Sequence, residues 1–215
     1  MKIVKTYDQV VNEAKNNLHL LNRDQIAWCS DNIRENWYVN EDGEVFTNSN
    51  SVSLYSGEFE EIPVQFADCL MFTLAYNHKL TTLNGSPRRV KNSYVIEKCI
   101  SLESLYGGPD FVGGSYLIQS TSIESLEGSP MEVVGNYCIG YNKKLISVHG
   151  ITKNIGRNIE IVDSPLLRSL DGLPKDFKGN IDAYSNGLPE KDLIYNWQND
   201  ITADEVDQFK SDWEI

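Results

Sequence analysis

Four cysteines and three histidines carry the strongest ligand and nucleophile chemistry in this 215-residue chain, and their spacing gives them no shared site. Cys29, Cys69, Cys99 and Cys138 contain no C-x-x-C pair, the spacing by which two thiolates grip one zinc ion. They are expected to be reduced thiols. His19, His78 and His149 stand apart in sequence, and His149 occupies a turn equivalent to those of Glu127 and Asp171, where a surface position is expected. Nucleophile elbows, zinc-protease helices and phosphate loops have recognisable forms, G-x-S-x-G, H-E-x-x-H and G-K-[ST], and none occurs here. The glycines of GGPDFVGGS at 107–115 do not make a dinucleotide fingerprint. Asn40, Asp42 and Glu44 begin like a calcium loop, but the later ligands are missing, and Asp42-Gly43 reads as a hairpin turn. The sequence therefore predicts no catalytic, metal or cofactor residues. What remains is contact chemistry, and eight residues are singled out for it: Val95, Glu97, Leu117, Gln119, Tyr141, Glu160, Val162 and Tyr184. Aliphatic and aromatic anchors ringed by polar groups are the composition of a protein-binding surface.

Charge narrows the partners. The chain has 31 acidic and 19 basic side chains, and the imbalance sits at the ends: 12 against 5 in residues 1–69, 11 against 12 in 70–188, and 8 against 2 in 189–215. A nucleic-acid binder needs concentrated Lys and Arg, and Arg88, Arg89 and Lys91 form only a small patch. No nucleic-acid partner is expected. No apolar run approaches the ~18 residues of a membrane span, and MKIVKTYDQVVNEAKNN has no apolar stretch behind its lysines, so neither a span nor a secretory signal is expected. Reduced thiols then suggest a cytoplasmic location.

The elements that position the eight residues come from a repeat of 21 or 22 residues. Phe72, Tyr94, Tyr116, Tyr137, Ile159 and Ile181 lead the units, and Leu74, Ile96, Ile118, Ile139, Ile161 and Ala183 follow two positions later. That alternation predicts short strands with one buried face. Asn77, Cys99, Thr121, Asn142, Ser164 and Asn186 come next, short side chains suited to satisfying backbone groups where the chain turns inward. Two apolar columns follow, Leu80, Leu102, Ile123, Leu145, Leu167 and Leu83, Leu105, Leu126, Val148, Leu170. Gly85, Gly107, Gly128, Gly150 and Gly172 predict a positive φ, and Pro87, Pro109, Pro130 and Pro174 an extended return. One such coil cannot hide its apolar face, so the coils must stack, with strands about 4.8 Å apart and equivalent side chains in ladders. The alternate strand residues then form a regular solvent-facing sheet. Thr73, Val95, Leu117, Cys138, Glu160 and Asp182 make one row, and Ala75, Glu97, Gln119, Gly140, Val162 and Tyr184 the next.

The units Tyr94-x-Ile96-x-x-Cys99 and Tyr137-x-Ile139-x-x-Asn142, with endings such as SLEGSP at 125–130 and SLDGLP at 169–174, resemble leucine-rich-repeat proteins, in particular the short L-x-G-x-P repeats encoded by bacteria and tailed phages. Two features depart from the family. The apolar residue after the Asn/Cys position is usually three residues on rather than two, and each strand is preceded by an apolar residue four back rather than three. Gly and Pro on the far side of each coil predict extended chain or short 3₁₀ turns there in place of a regular helix. The expected fold is an α+β repeat: a leucine-rich-repeat-like β-solenoid with parallel strands, about 22 residues per coil, and helical caps at both ends.

The expected organisation is a helical cap over 1–40, a β hairpin with an imperfect first coil over 41–69, the solenoid over 70–188 and a second helical cap over 189–215. Val10, Val11, Ala14, Leu18 and Leu21 have helical spacing, and Asn22 with Gln25 forms a capping pair before a second helix through Ile26, Cys29 and Ile33. Thr202, Glu205, Val206, Phe209 and Trp213 mark a helix near the other end. The resemblance implies a non-catalytic protein-interaction module, most concretely a phage accessory protein that binds and blocks a host factor in the host cytoplasm. The alternatives are an acidic inhibitor or mimic that engages a basic nuclease or nucleic-acid-binding protein through its ends, and an enzyme with an unfamiliar site.

Overall fold

A computed structural model describes residues 17–184 and 186–188. A 3₁₀ turn at Leu18–Leu20 leads into helix α1, Arg23–Asn32. The capping pair closes as expected: the Gln25 N–H donates to Asn22 Oδ1 and the Asn22 N–H to Gln25 Oε1, both at 2.9 Å. Gln25 then uses its amide to donate to the Pro63 carbonyl at 2.7 Å, tying the helix to the first coil. Cys29 is buried, and Trp28 meets Phe59 edge-on at 5.0 Å between centroids, so α1 covers the first open end of the stack.

A hairpin follows, strands β1, Trp37–Val39, and β2, Val45–Thr47. Gly43 at φ 80° makes its turn, and Asn40 Oδ1 accepts from the N–H groups of Asp42 and Glu44, which explains these three residues without calcium. The hairpin begins at Trp37, at the edge of the 1–40 segment assigned to the cap, because Trp, Tyr and Val in succession favour an extended, half-buried strand.

From here the chain is a parallel β-solenoid. Strands β3, Ser51–Tyr55; β4, Met71–Ala75; β6, Tyr94–Glu97; β8, Tyr116–Gln119; β10, Tyr137–Gly140; β12, Ile159–Val162; and β13, Ile181–Tyr184 pair in sequence order to form one seven-stranded sheet. Between them, β5, Arg89–Val90; β7, Phe111–Val112; β9, Glu132–Val133; and β11, Asn154–Ile155 make a second, narrow parallel sheet on the far side. Extended chain, not helix, therefore closes each coil. β3 shows that VSLYSGEFEEIPVQF is a true first coil, in register with β4 from Ser51 opposite Met71 to Tyr55 opposite Ala75.

The expected ladders form the core. Leu74, Ile96, Ile118, Ile139 and Ile161 lie in one register and are buried. The aromatic column beside them stacks Phe72 on Tyr94 at 5.3 Å and Tyr94 on Tyr116 at 5.6 Å, and Tyr116 meets Tyr137 at 5.2 Å with the rings tilted by 41°. Each such side chain is stabilised by roughly 1.5–3 kcal/mol on leaving water. Asparagines of the inward turn bond to the coil before: Asn77 Nδ2 donates to the Phe59 carbonyl at 2.9 Å, Asn142 Nδ2 to Ile118 at 3.1 Å, and Asn186 Nδ2 to Ile161 at 2.8 Å. Asn142 Oδ1 also accepts from the Thr121 N–H and hydroxyl. The five turn glycines all have positive φ, between 85° and 111°. The expected helix through Val10, Val11 and Ala14 and the second cap at 189–215 lie outside the described residues, whose one α-helix is α1.

Candidate interaction face

The seven-stranded sheet turns the ladders led by Phe72 and Leu74 inward and presents the alternate residues in two rows. Strand register aligns Val95 with Leu117, Leu117 with Cys138, Cys138 with Glu160, and Glu160 with Asp182. The second row aligns Glu97 with Gln119, Gln119 with Gly140, Gly140 with Val162, and Val162 with Tyr184. Val95, Glu97, Leu117, Gln119 and Glu160 are half-buried. Tyr141 is 52% and Tyr184 50% exposed. Val162 differs from its expected place as an exposed anchor: it is only 8% exposed, in register between Gly140 and Tyr184. The face therefore divides into an aliphatic half around Val95 and Leu117 and an aromatic, acidic half around Tyr141, Glu160 and Tyr184.

A third row stands at the strand exits, where the residue types mark the position but not its backbone conformation. The residue after each strand, Ser56, Tyr76, Lys98, Ser120, Tyr141 and Asp163, adopts a left-handed backbone with φ between 48° and 60°. Serine, tyrosine, lysine and aspartate share no composition signal for this conformation, which normally favours glycine. Lateral bonding imposes it: the exit N–H donates to the strand of the next coil, Tyr76 to Glu97 at 2.9 Å, Lys98 to Gln119 at 3.0 Å, Tyr141 to Val162 at 2.9 Å.

Side chains of this row interact with the face. The Lys98 ammonium sits 4.4 Å from the Tyr76 ring centroid, donates to the Tyr76 hydroxyl at 3.0 Å and lies 3.5 Å from the Glu97 carboxylate. The Tyr76 bond, foremost, holds that ammonium protonated above its ordinary range. Four coils on from Lys98, Tyr184 donates its hydroxyl to Glu160 at 3.3 Å. Partial desolvation and then the neighbouring Glu160, Tyr141 and Asp163 push the Tyr184 phenol upward. Burial, with Glu160 beside it, pushes the Cys138 thiol up to about 11, so it stays protonated near neutrality.

Elsewhere, the four cysteines are free thiols, and His149 faces Glu127 at 3.5 Å in the turns. Among the described residues no three His, Cys, Asp or Glu side chains converge as a metal would need, and no helix is long and apolar enough to cross a membrane. A shallow depression runs along the turns by Glu103, Tyr106, Glu124 and Glu127, away from the sheet face, and Lys144 reaches Glu103 within it at 3.5 Å. Comparison with protein-family models, with curated proteins and with solved structures gave no match.

Proposed function

We propose that this solenoid is a non-catalytic protein-interaction module that grips its partner with the outward face of the seven-stranded sheet. The observation that carries this reading is the juxtaposition of Val95 and Leu117 on adjacent strands, half-exposed aliphatic groups flanked by polar and aromatic ones. Rigid strands hold these side chains at fixed spacing, so a partner meets them with little ordering cost. The repeat endings support a place among leucine-rich-repeat proteins of bacteria and phages, and with it the role of an accessory protein that occupies a host factor.

Replacing both Val95 and Leu117 by lysine tests the reading. Both side chains point away from the core, so the fold is retained, and specific capture of a protein by the immobilised chain is expected to fall at least tenfold. Undiminished capture by a folded double variant removes the face from consideration. Capture that instead disappears between low and high ionic strength points to the acidic ends as the binding element.

A further inference from the structure

We propose that Tyr141, Glu160, Asp163 and Tyr184 form a receptor for one cationic side chain, arginine or lysine, of a protein partner. The inference rests on the interaction-face reading and deepens it by naming the chemistry recognised at one end.

The chain itself displays the arrangement once. At the Tyr76 exit position an ammonium rests on a tyrosine ring and a glutamate of the adjacent strand completes its surroundings, Lys98 at 4.4 Å from the Tyr76 centroid and 3.5 Å from Glu97. The second sheet holds a guanidinium similarly, Arg89 at 4.2 Å from the Phe111 ring centroid. Tyr141 occupies the same exit position as Tyr76, with the same left-handed backbone, φ 56° against 60°. On the next coil, where Lys98 stands relative to Tyr76, Tyr141 has Asp163. The Tyr141 N–H donates to Val162 and the Asp163 N–H to Tyr184, so these exit residues border Val162 and Tyr184 directly. Two half-exposed tyrosines thus border a nearly buried Val162 through the backbone bond of Tyr141 and the register of Tyr184, and Glu160, Tyr141 and Asp163 lie near enough to act on the Tyr184 phenol.

Charge complementarity selects the occupant. Among the described residues of the three outward rows, Lys98 is the only basic one and is already engaged by Tyr76 and Glu97, while Glu160, Asp163 and Asp182 leave the far end negative. Lys143 and Lys144 come after the inward turn at Asn142, and Lys144 reaches Glu103. An aromatic face with adjacent carboxylates attracts a cation more strongly than either feature does alone.

The test uses the full chain with labelled tyrosine rings and two short peptides, Ac-Gly-Arg-Gly-amide and its uncharged citrulline counterpart, titrated by NMR at low salt. The arginine peptide is expected to shift the Tyr141 and Tyr184 ring signals and to bind at least fivefold more tightly than the citrulline peptide. Tyr141→Asn, which keeps a residue tolerant of the left-handed backbone, is expected to weaken arginine binding at least threefold, as is Glu160→Gln with Asp163→Asn. Equal binding of the two peptides, or unchanged affinity in the folded variants, overturns the proposal. Failure here is separable from failure of the broader reading: capture lost in the Val95 and Leu117 double variant but kept in Tyr141→Asn, with no arginine preference, leaves the face standing without a cation receptor.

Discussion

Buried tyrosine hydroxyls show how single residues tune this fold. Tyr94 and Tyr137 reach across the coil to a serine eight residues earlier, Ser86 at 3.0 Å and Ser129 at 2.6 Å. Tyr116 is equally buried, but Gly108 stands at its eighth preceding position, and its hydroxyl has no hydrogen-bond partner among the described residues. Desolvation by that burial pushes the Tyr116 phenol well upward. A Cβ at Gly108 would meet the Leu105 carbonyl at 3.1 Å and a Leu83 methyl at 3.3 Å; the methyl can move aside, and Ser86 and Ser129 already occupy the equivalent position with the same turn bond that Gly108 makes to Leu105. Gly108→Ser is therefore expected to raise unfolding stability by about 1 kcal/mol, the net value of one buried hydrogen bond. Tyr116→Phe should be neutral or slightly stabilising, whereas Tyr137→Phe should lose about 1 kcal/mol. Urea midpoints of the three variants check the order. The aromatic column itself was legible, since Phe72, Tyr94, Tyr116 and Tyr137 recur in register. The serine partners were not, because a column of Ser, Gly, Ser and Ile carries no repeat signal until the coil is closed.

At the level of strands and turns, the sequence carried nearly the whole solenoid, including the first coil at β3 and the absence of helix on its far side. Period-2 alternation fixed the buried face, and the Gly-x-Pro endings fixed the turns. The coil starting at Tyr116 is one residue shorter than the others, with Ile123 two positions after Thr121 where Leu102 follows Cys99 by three. Its strand nevertheless pairs in full register with both neighbours, so the turn absorbs the deletion. The turn glycines are less tolerant. Gly128 has φ 88°, and a Cβ there would lie 2.4 Å from the Tyr106 backbone nitrogen. Gly128→Ala is expected to cost at least about 2 kcal/mol, combining the left-handed penalty with forced separation of two coils. Gly140→Ala is the contrast: its Cβ would touch only the Gln119 side chain at 3.4 Å, and stability should change by under about 0.5 kcal/mol. Thermal unfolding of both variants measures the difference. The exit row was legible as a row, but its left-handed backbone was not, because backbone bonding and not residue preference creates it, and with it went the Tyr76–Lys98 contact.

Across the molecule, the buried acids predict how stability responds to alkali. Burial pushes the Cys29 and Cys69 thiols up to about 12, aided at Cys69 by Asp68, and Cys99 up to about 11. Tyr94 and Tyr137 are raised further, again by burial first. In the unfolded chain these thiols ionise from about pH 8.5, so above that value the unfolded state binds fewer protons than the folded one. Their contribution to stability is complete below pH 8 and is lost as pH rises from about 9 to 12, at no more than about 1.4 kcal/mol per group per pH unit. Urea midpoints measured at pH 7.5, 9 and 10.5 should fall progressively, and a flat profile would contradict the burial of these groups.

Coil-to-coil bonding has a consequence for the history of such a chain. The hydrogen bonds between coils join residues about one repeat apart, from 18 for Asn77 to Phe59 to 25 for Asn186 to Ile161, as also in Thr121 to Asn142 and Thr152 to Pro130. Hydrogen-bond partnership along the solenoid is thus a matter of one step along the thread, with the surface ion pair of Lys144 and Glu103 reaching two, and not of distant ends finding each other. Tandem duplication or loss of a whole step leaves the remaining contacts intact, so length can drift between descendants while the cross-section is inherited unchanged.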